Sequence, residues 1–262
     1  MRRAFVAAIA ILVWCPPGWT QRPSDAEASA LIERSRQKAS EYAQSLPDFV
    51  ATEVIRRYAG SYKDGIGGHP VDTLTIQLRY SQHKEEHKLL LIDGKPAGQT
   101  FETLQGTVGS GEFGTTLSSV FDPASQTSFH WQSWKNVRKH RAGAFEYAVN
   151  GPHSRYRLGT TADGRTVEAE VGYHGVVEID AETAEVLHLE YAADHIPDAL
   201  HLQYAGTTVD YDFADIGGRE YLLPAHSETE MKGPTEWTRS VAQFRGYHKF
   251  AADSTVDFAP VK

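Results

Sequence analysis

From Phe49 almost to its C-terminus the chain is a relay of short segments in which apolar and polar residues alternate, separated by turn residues. A period of two sends successive side chains to opposite faces of an extended strand, so each segment has one face to bury. That pattern requires an antiparallel sheet. In VDTLTIQLRY, residues Leu74, Ile76, Leu78 and Tyr80 share one face, with Asp72 at its start, while Thr73, Thr75, Gln77 and Arg79 take the other. HKLLLID follows and ends in the Asp93-Gly94 turn pair, so the two segments form a hairpin.

The relay is preceded by one helix. Ser24 and Glu27 have capping-box spacing, Ala28, Leu31, Ser35, Ala39, Tyr42 and Leu46 recur at helical intervals, and Pro47 ends the run. This thin stripe of small residues suits a helix lying against a sheet. A second interruption, from Gln99 to Pro123, holds Gly106, Gly109, Gly111 and Gly114 and then TTLSSVFDP, a glycine-rich loop leading into a short helix. From Thr127 the strands resume as SFHWQSWKNVR, AFEYAVN, SRYRLGT, TVEAEVGYHGVVEID, EVLHLEYAA, TTVDYDFADI, REYLLPAHSETEM and EWTRSVAQFRGYHKF. Turn residues separate them, among them Asn150-Gly151-Pro152, Asp163-Gly164, Gly217-Gly218 and Gly233-Pro234. The expected fold is α+β and mainly β, a curved antiparallel meander, or half-barrel, of about ten or eleven strands. One helix leads it, one short helix is inserted, and residues 22–262 form a single domain.

The N-terminus sets the compartment. Arg2 and Arg3 precede an apolar run from Ala4 to Trp14, the layout of a secretory signal peptide over residues 1–21. The run is too short to span a bilayer, which needs roughly 20 apolar residues. The protein is therefore expected to be periplasmic or secreted. Cys15, the only cysteine, stands where a lipoprotein carries its lipid anchor, but Trp14 precedes it where a small residue is needed. Loss of the leader would leave no thiol and change the net charge from -8 to about -10. That acidic balance disfavours nucleic acid and anionic membranes as primary partners, because both reward clusters of Lys and Arg, which the chain is read as lacking.

No motif rises to a catalytic or metal signature. His83, Glu86 and His87 match H-x-x-E-H, but histidines four apart on a strand are roughly 13 Å apart and cannot share a zinc. Gly109, Gly111 and Gly114 match G-x-G-x-x-G without the βαβ unit that a dinucleotide site requires. Asp210, Asp212 and Asp215 resemble a calcium loop, yet Ala214 stands where a ligand oxygen belongs. There is no G-x-S-x-G elbow. The histidines are scattered, and an enzyme would require the fold to gather some of them with a carboxylate. Neither catalytic nor metal residues are assigned, no ligand role is given to any apolar-face residue such as Ile76, and no cofactor is expected. The aromatic residues, from Phe129 and Trp131 to Tyr247, read as core or as the wall of an apolar cavity.

The exported chain with its leading helix, its curved meander and its inserted helical segment resembles the lipoprotein-carrier superfamily, the half-barrels of the LolA, LolB and RseB type. GVVEIDAETAEVLHLEY, Gly175 to Tyr191, resembles a hairpin of such proteins, with Asp180 and Thr183 at its turn. With SLPDF at Ser45 to Phe49 and DIGGREYLLP at Asp215 to Pro224, it is also similar to a group of exported bacterial proteins without assigned activity. The resemblance implies a non-enzymatic protein that binds or carries a lipid, an acyl chain or a lipoprotein in the concave face of its sheet, with transient membrane contact. It transfers no functional residue to this chain, and the missing lipobox departs from the anchored LolB type. Two other readings stand beside it. One is an envelope hydrolase with a His and carboxylate site assembled only in the fold. The other is an interaction module presenting Trp131, Trp134 and Trp237 to polysaccharide or protein.

Overall fold

The computed structural model describes residues 21–62, 68–82, 84–104, 115–162 and 165–250. The leader up to Trp14, Cys15, His83, the Asp163-Gly164 turn and the glycine run from Gly106 to Gly114 lie outside the described residues.

Helix α1 spans Asp25–Ser45. The capping box forms as spaced: the Glu27 amide donates to Ser24 Oγ at 3.3 Å and the Ser24 amide donates to Glu27 Oε2 at 2.8 Å. The strands are β1 Phe49–Ser61, β2 His69–Ser81, β3 Lys84–Ile92, β4 Lys95–Pro96, β5 Ser128–Val137, β6 His140–Val149, β7 Arg157–Ala162, β8 Arg165–Glu170, β9 Gly172–Asp180, β10 Val186–Asp194, β11 Tyr204–Asp215, β12 Glu220–Lys232 and β13 Glu236–Lys249. A short helix, α2, Thr115–Phe121, precedes β5.

The fold is mainly β, as expected: one curved antiparallel sheet of eleven strands that does not close into a barrel. Its order is β4-β3-β2-β1-β13-β12-β11-β10-β9-β6-β5, and β7-β8 forms a separate hairpin. This is more than a simple meander. The chain begins in the middle of the sheet, builds outward to β4, crosses by way of α2 to the far edge at β5, and returns until β13 pairs with β1. TVEAEVGYHGVVEID, read as one strand, divides at buried Val171 into β8 and β9 and so yields the extra hairpin. Pro224 stands inside the central strand β12, where it has no amide to donate. The sheet accommodates it with a register shift at Asp210/Tyr211, opposite Pro224.

Turn chemistry explains the motifs that carried the resemblance. Asp180 Oδ1 accepts from the amides of Glu182 at 2.7 Å and Thr183 at 2.9 Å, closing the β9–β10 turn. Asp48 accepts from the Gln82 amide and the Ser81 hydroxyl, both at 3.1 Å, tying the exit of α1 to the β2–β3 turn. Asp215 Oδ1 accepts from the Gly218 amide at 3.2 Å in a turn where Gly217 and Gly218 have φ of 66° and 89°.

The core lies on the face of the sheet that α1 crosses. One cluster joins Leu31, Ile32 and Ala39 of α1 and Leu117, Val120 and Phe121 of α2 to Phe145, Val177, Leu189 and Tyr211. A second joins Leu46 to Phe49, Ile55, Leu74, Ile76, Leu78 and Phe244. A third, around Leu158, Val171, Leu200 and Ala205, packs β7-β8 and the 198–202 turn against the end of that face. No helix among the described residues is long and apolar enough to cross a membrane.

Candidate functional site

Helix α1 turns Leu31, Ser35, Ala39 and Leu46 inward, as its sequence stripe specifies, and all four are buried. Because Ser35 and Ala39 are short, the helix midpoint fills less of the space above the sheet than Leu31 and Leu46 do at its ends. A cavity of about 230 Å³ remains there, at the seam between the first two core clusters. Its walls are Ala39, Leu117, Val186, Phe213 and Leu222, and its rim carries Lys38, Glu41, Glu185, Arg219 and Glu220. A sealed void of this volume would cost on the order of 5 kcal/mol. The charged rim opens this one to entry.

Two residues of this lining, Ser35 and Tyr42, carry hydroxyls that are buried from solvent and have no hydrogen-bond partner. Ser35 is fully buried, at 0% exposure. Tyr42 belongs to both adjoining clusters and meets Tyr211 edge to face at 6.4 Å. Burial pushes the Tyr42 phenol well above its ordinary range, reinforced by the neighbouring Tyr247 and Tyr80. It is therefore a neutral donor at any physiological pH. A buried hydroxyl left unpaired costs about 1–3 kcal/mol, a cost that an acceptor oxygen brought within reach of it would remove.

The same face carries a polar row that satisfies itself. Thr207 and Thr229 hydroxyls meet at 3.0 Å across β11 and β12. Farther along, Arg57 Nε donates to Asp72 Oδ1 at 2.7 Å and Nη2 to Asp72 Oδ2 at 2.6 Å. This ion pair explains why an aspartate begins the apolar face of β2.

The motifs weighed in the sequence are dispersed. Glu86 pairs with Arg79 and lies on the opposite face of β3 from His87, which stacks on Phe101 at 4.9 Å and lies 3.8 Å from Glu53. The three aspartates are separately committed: Asp212 Oδ1 accepts from the Phe213 amide at 2.8 Å, Asp215 caps its turn, and Asp210 sits between two histidines. His188 Nδ1 is 2.7 Å from Asp210 Oδ1 and His226 Nδ1 is 3.6 Å from Asp210 Oδ2. That trio is the closest approach to the gathered histidines an enzyme would need. It lies across β10, β11 and β12 on the face opposite Leu189 and Val209, away from the cavity. Asp180 likewise holds His140 at 2.7 Å, and Asp194 holds His174 at 2.8 Å. Among the described residues no group of three His, Cys, Asp or Glu is arranged to hold a metal.

The tryptophan platform divides. Trp131 and Trp134 meet at 4.7 Å beside a groove of about 780 Å³ at the start of α1, while Trp237 fills a slot against Gly60 and Gly68. A Cβ at Gly60 would come within 2.5 Å of that indole, so Trp237 is a packing residue. Sequence reasoning missed two features. Ser35 and Tyr42 were visible only as polar members of a helical stripe. The absence of basic clusters was also misread: Lys135, Arg138, Lys139 and Arg141 fall within one hairpin, hidden by the acidic average of the chain.

No protein-family model matches this chain, and no curated protein matches it. Among solved structures it is similar to a DUF1329 family protein from Desulfovibrio piger, at 12% identity over 86% of this chain and 94% of that chain, with a TM-score of 0.40. A putative outer membrane lipoprotein-sorting protein domain from Vibrio parahaemolyticus matches at 12% identity over 83% and 93%, with a TM-score of 0.33. A LolA superfamily protein from Nitrosomonas europaea matches at 11% identity over 84% and 92%, with a TM-score of 0.28.

Proposed function

We propose that this is an exported envelope protein that binds and carries an acyl-bearing ligand in the seam between α1 and the sheet, without bond chemistry. The observation that carries the reading is the cavity at that seam, walled by apolar side chains and bordered by Ser35 and Tyr42, whose buried hydroxyls have no partner. An acyl chain supplies apolar surface for the walls, at about 0.8 kcal/mol per buried methylene, and its carbonyl oxygen accepts from a hydroxyl. At about 230 Å³ the cavity is smaller than the roughly 300–1,000 Å³ of drug-sized sites. A long chain therefore enters only as α1 shifts outward, against the burial of Leu31, Ile32, Ala39 and Leu46 and the hydrogen bonds that Arg34 donates to the Ala181 and Glu182 carbonyls. The site works by burial, and the histidine and aspartate trio on the opposite face takes no part.

A titration with a fluorescent polyene fatty acid tests this. Ser35→Leu adds apolar bulk at a fully buried position of the lining and removes one unpaired hydroxyl, so affinity should fall at least tenfold, with circular dichroism showing that the fold is retained. Saturable binding that is unchanged in Ser35→Leu would place the ligand elsewhere.

A further inference from the structure

We propose that the tip of the β5–β6 hairpin docks the protein on an anionic lipid surface. From Trp134 to Arg141 the chain carries Lys135, Arg138, Lys139 and Arg141 and no acidic residue, in a protein whose net charge is -8. The turn itself is unusual. Val137 pairs with His140, so Arg138 and Lys139 are the whole loop, and their φ angles are 45° and 75°. Two-residue turns of this hand favour Asn-Gly because both positions are left-handed. A side chain there costs roughly 1–2 kcal/mol per residue. The Lys139 amide donates to Asn136 Oδ1 at 3.1 Å, which supports the strained loop. This hairpin keeps two cations where glycine would be the relaxed choice.

The cations also have aromatic company. Arg141 lies over the Trp134 ring at 3.7 Å, Trp134 meets Trp131 at 4.7 Å, and Trp134 Nε1 donates to the Gln21 carbonyl at 2.8 Å. Gly143 makes room, since a Cβ there would come within 2.8 Å of Trp131. Indole beside Lys and Arg is the composition that settles at lipid headgroup level, apolar body inward and charge at the phosphate. Arg138 is turned back onto the sheet, donating to the carbonyls of Tyr211 and Leu187 with Nε 3.9 Å from Asp212, and it is exposed together with Lys135 and Lys139. β5 is the last strand of the sheet, so the tip stands at a free edge. The acidic body is repelled by an anionic surface and the tip attracted to it, which orients the approach.

Co-sedimentation with vesicles of phosphatidylglycerol and phosphatidylcholine, against pure phosphatidylcholine, tests the assignment. Wild type should partition to the anionic vesicles and lose that partition as salt is raised. Lys139→Gly removes one charge and relieves the turn, so binding should weaken about fivefold with no loss of thermal stability. Lys135→Glu with Lys139→Glu should abolish it. Lys84→Gln, which removes an exposed cation on β3 towards the opposite edge of the sheet, should sediment like wild type, which ties the effect to the β5–β6 tip and not to total charge. Equal partition to both vesicle types, or wild-type partition by the lysine variants, would overturn the proposal. So would capture by an acidic polypeptide with no partition to vesicles.

Discussion

Asp72 shows how one side chain can be anomalous in sequence and explained in space. It begins the face that Leu74, Ile76 and Leu78 continue, and alternation alone gives no reason for a carboxylate there. The answer is Arg57, opposite it on β1 and joined to it by two hydrogen bonds, with the side chains only 10% and 13% exposed. Removing one partner of a buried pair strands the other charge, whereas replacing both with apolar residues can be neutral. Asp72→Ala should therefore cost about 3 kcal/mol in denaturant midpoint measurements, and Arg57→Met combined with Asp72→Leu should recover most of it. A loss below about 1 kcal/mol for Asp72→Ala would mean the pair contributes little. Ser35 and Tyr42 teach the same lesson in reverse. Their positions on α1 were readable from spacing, but that they lack partners depends on what α2, β10, β11 and β12 bring opposite them.

Helices, hairpins and turns were largely legible, because they rest on local chemistry. The capping box of α1, the β2–β3 and β9–β10 hairpins and the diglycine turn all form where their residues specify. What failed was long-range. The pairing of β1 with β13 joins segments nearly two hundred residues apart, and a period of two does not name a strand's neighbour. Nor could spacing reveal that cross-strand register sets His188 opposite Asp210 and Asp210 opposite His226. That contact makes stability depend on pH. The hydrogen bond to Asp210 raises His188 above its ordinary 6.5, so its contribution is full below 6.5 and is lost as pH rises through the raised value. The same bond lowers Asp210 below its ordinary 3.8, so its contribution is full above 3.8 and is lost as pH falls through the lowered value. The pair stabilises most between pH 3.8 and 6.5. Both groups are partly exposed, so the effect is held to under about 1 kcal/mol by screening. Denaturant midpoints for His188→Gln should fall below wild type inside that window and converge with it in alkali. A constant difference across pH would remove the ion pair from the account.

Taken together, the protein is one open sheet with two unlike faces. The inner face is packed by α1 and α2, with a small cavity at the seam beside Ser35 and Tyr42 and a wider groove at the start of α1 beside Trp131 and Trp134. The outer face carries paired histidines and aspartates. The sequence specified a half-barrel with a leading helix but left open whether its concave side is filled. In the structure α1 and α2 pack over the core-bearing side, leaving a small cavity bordered by Ser35 and Tyr42. Ligand carriage therefore requires α1 to act as a movable cover and not as a fixed wall. Native mass spectrometry of protein purified intact from a cell envelope tests this most directly. Wild type should carry the added mass of an acyl-bearing molecule, and Ser35→Leu, prepared alongside, should fly without it. Wild type bare of any ligand, or Ser35→Leu retaining the same mass, would contradict a site beneath α1.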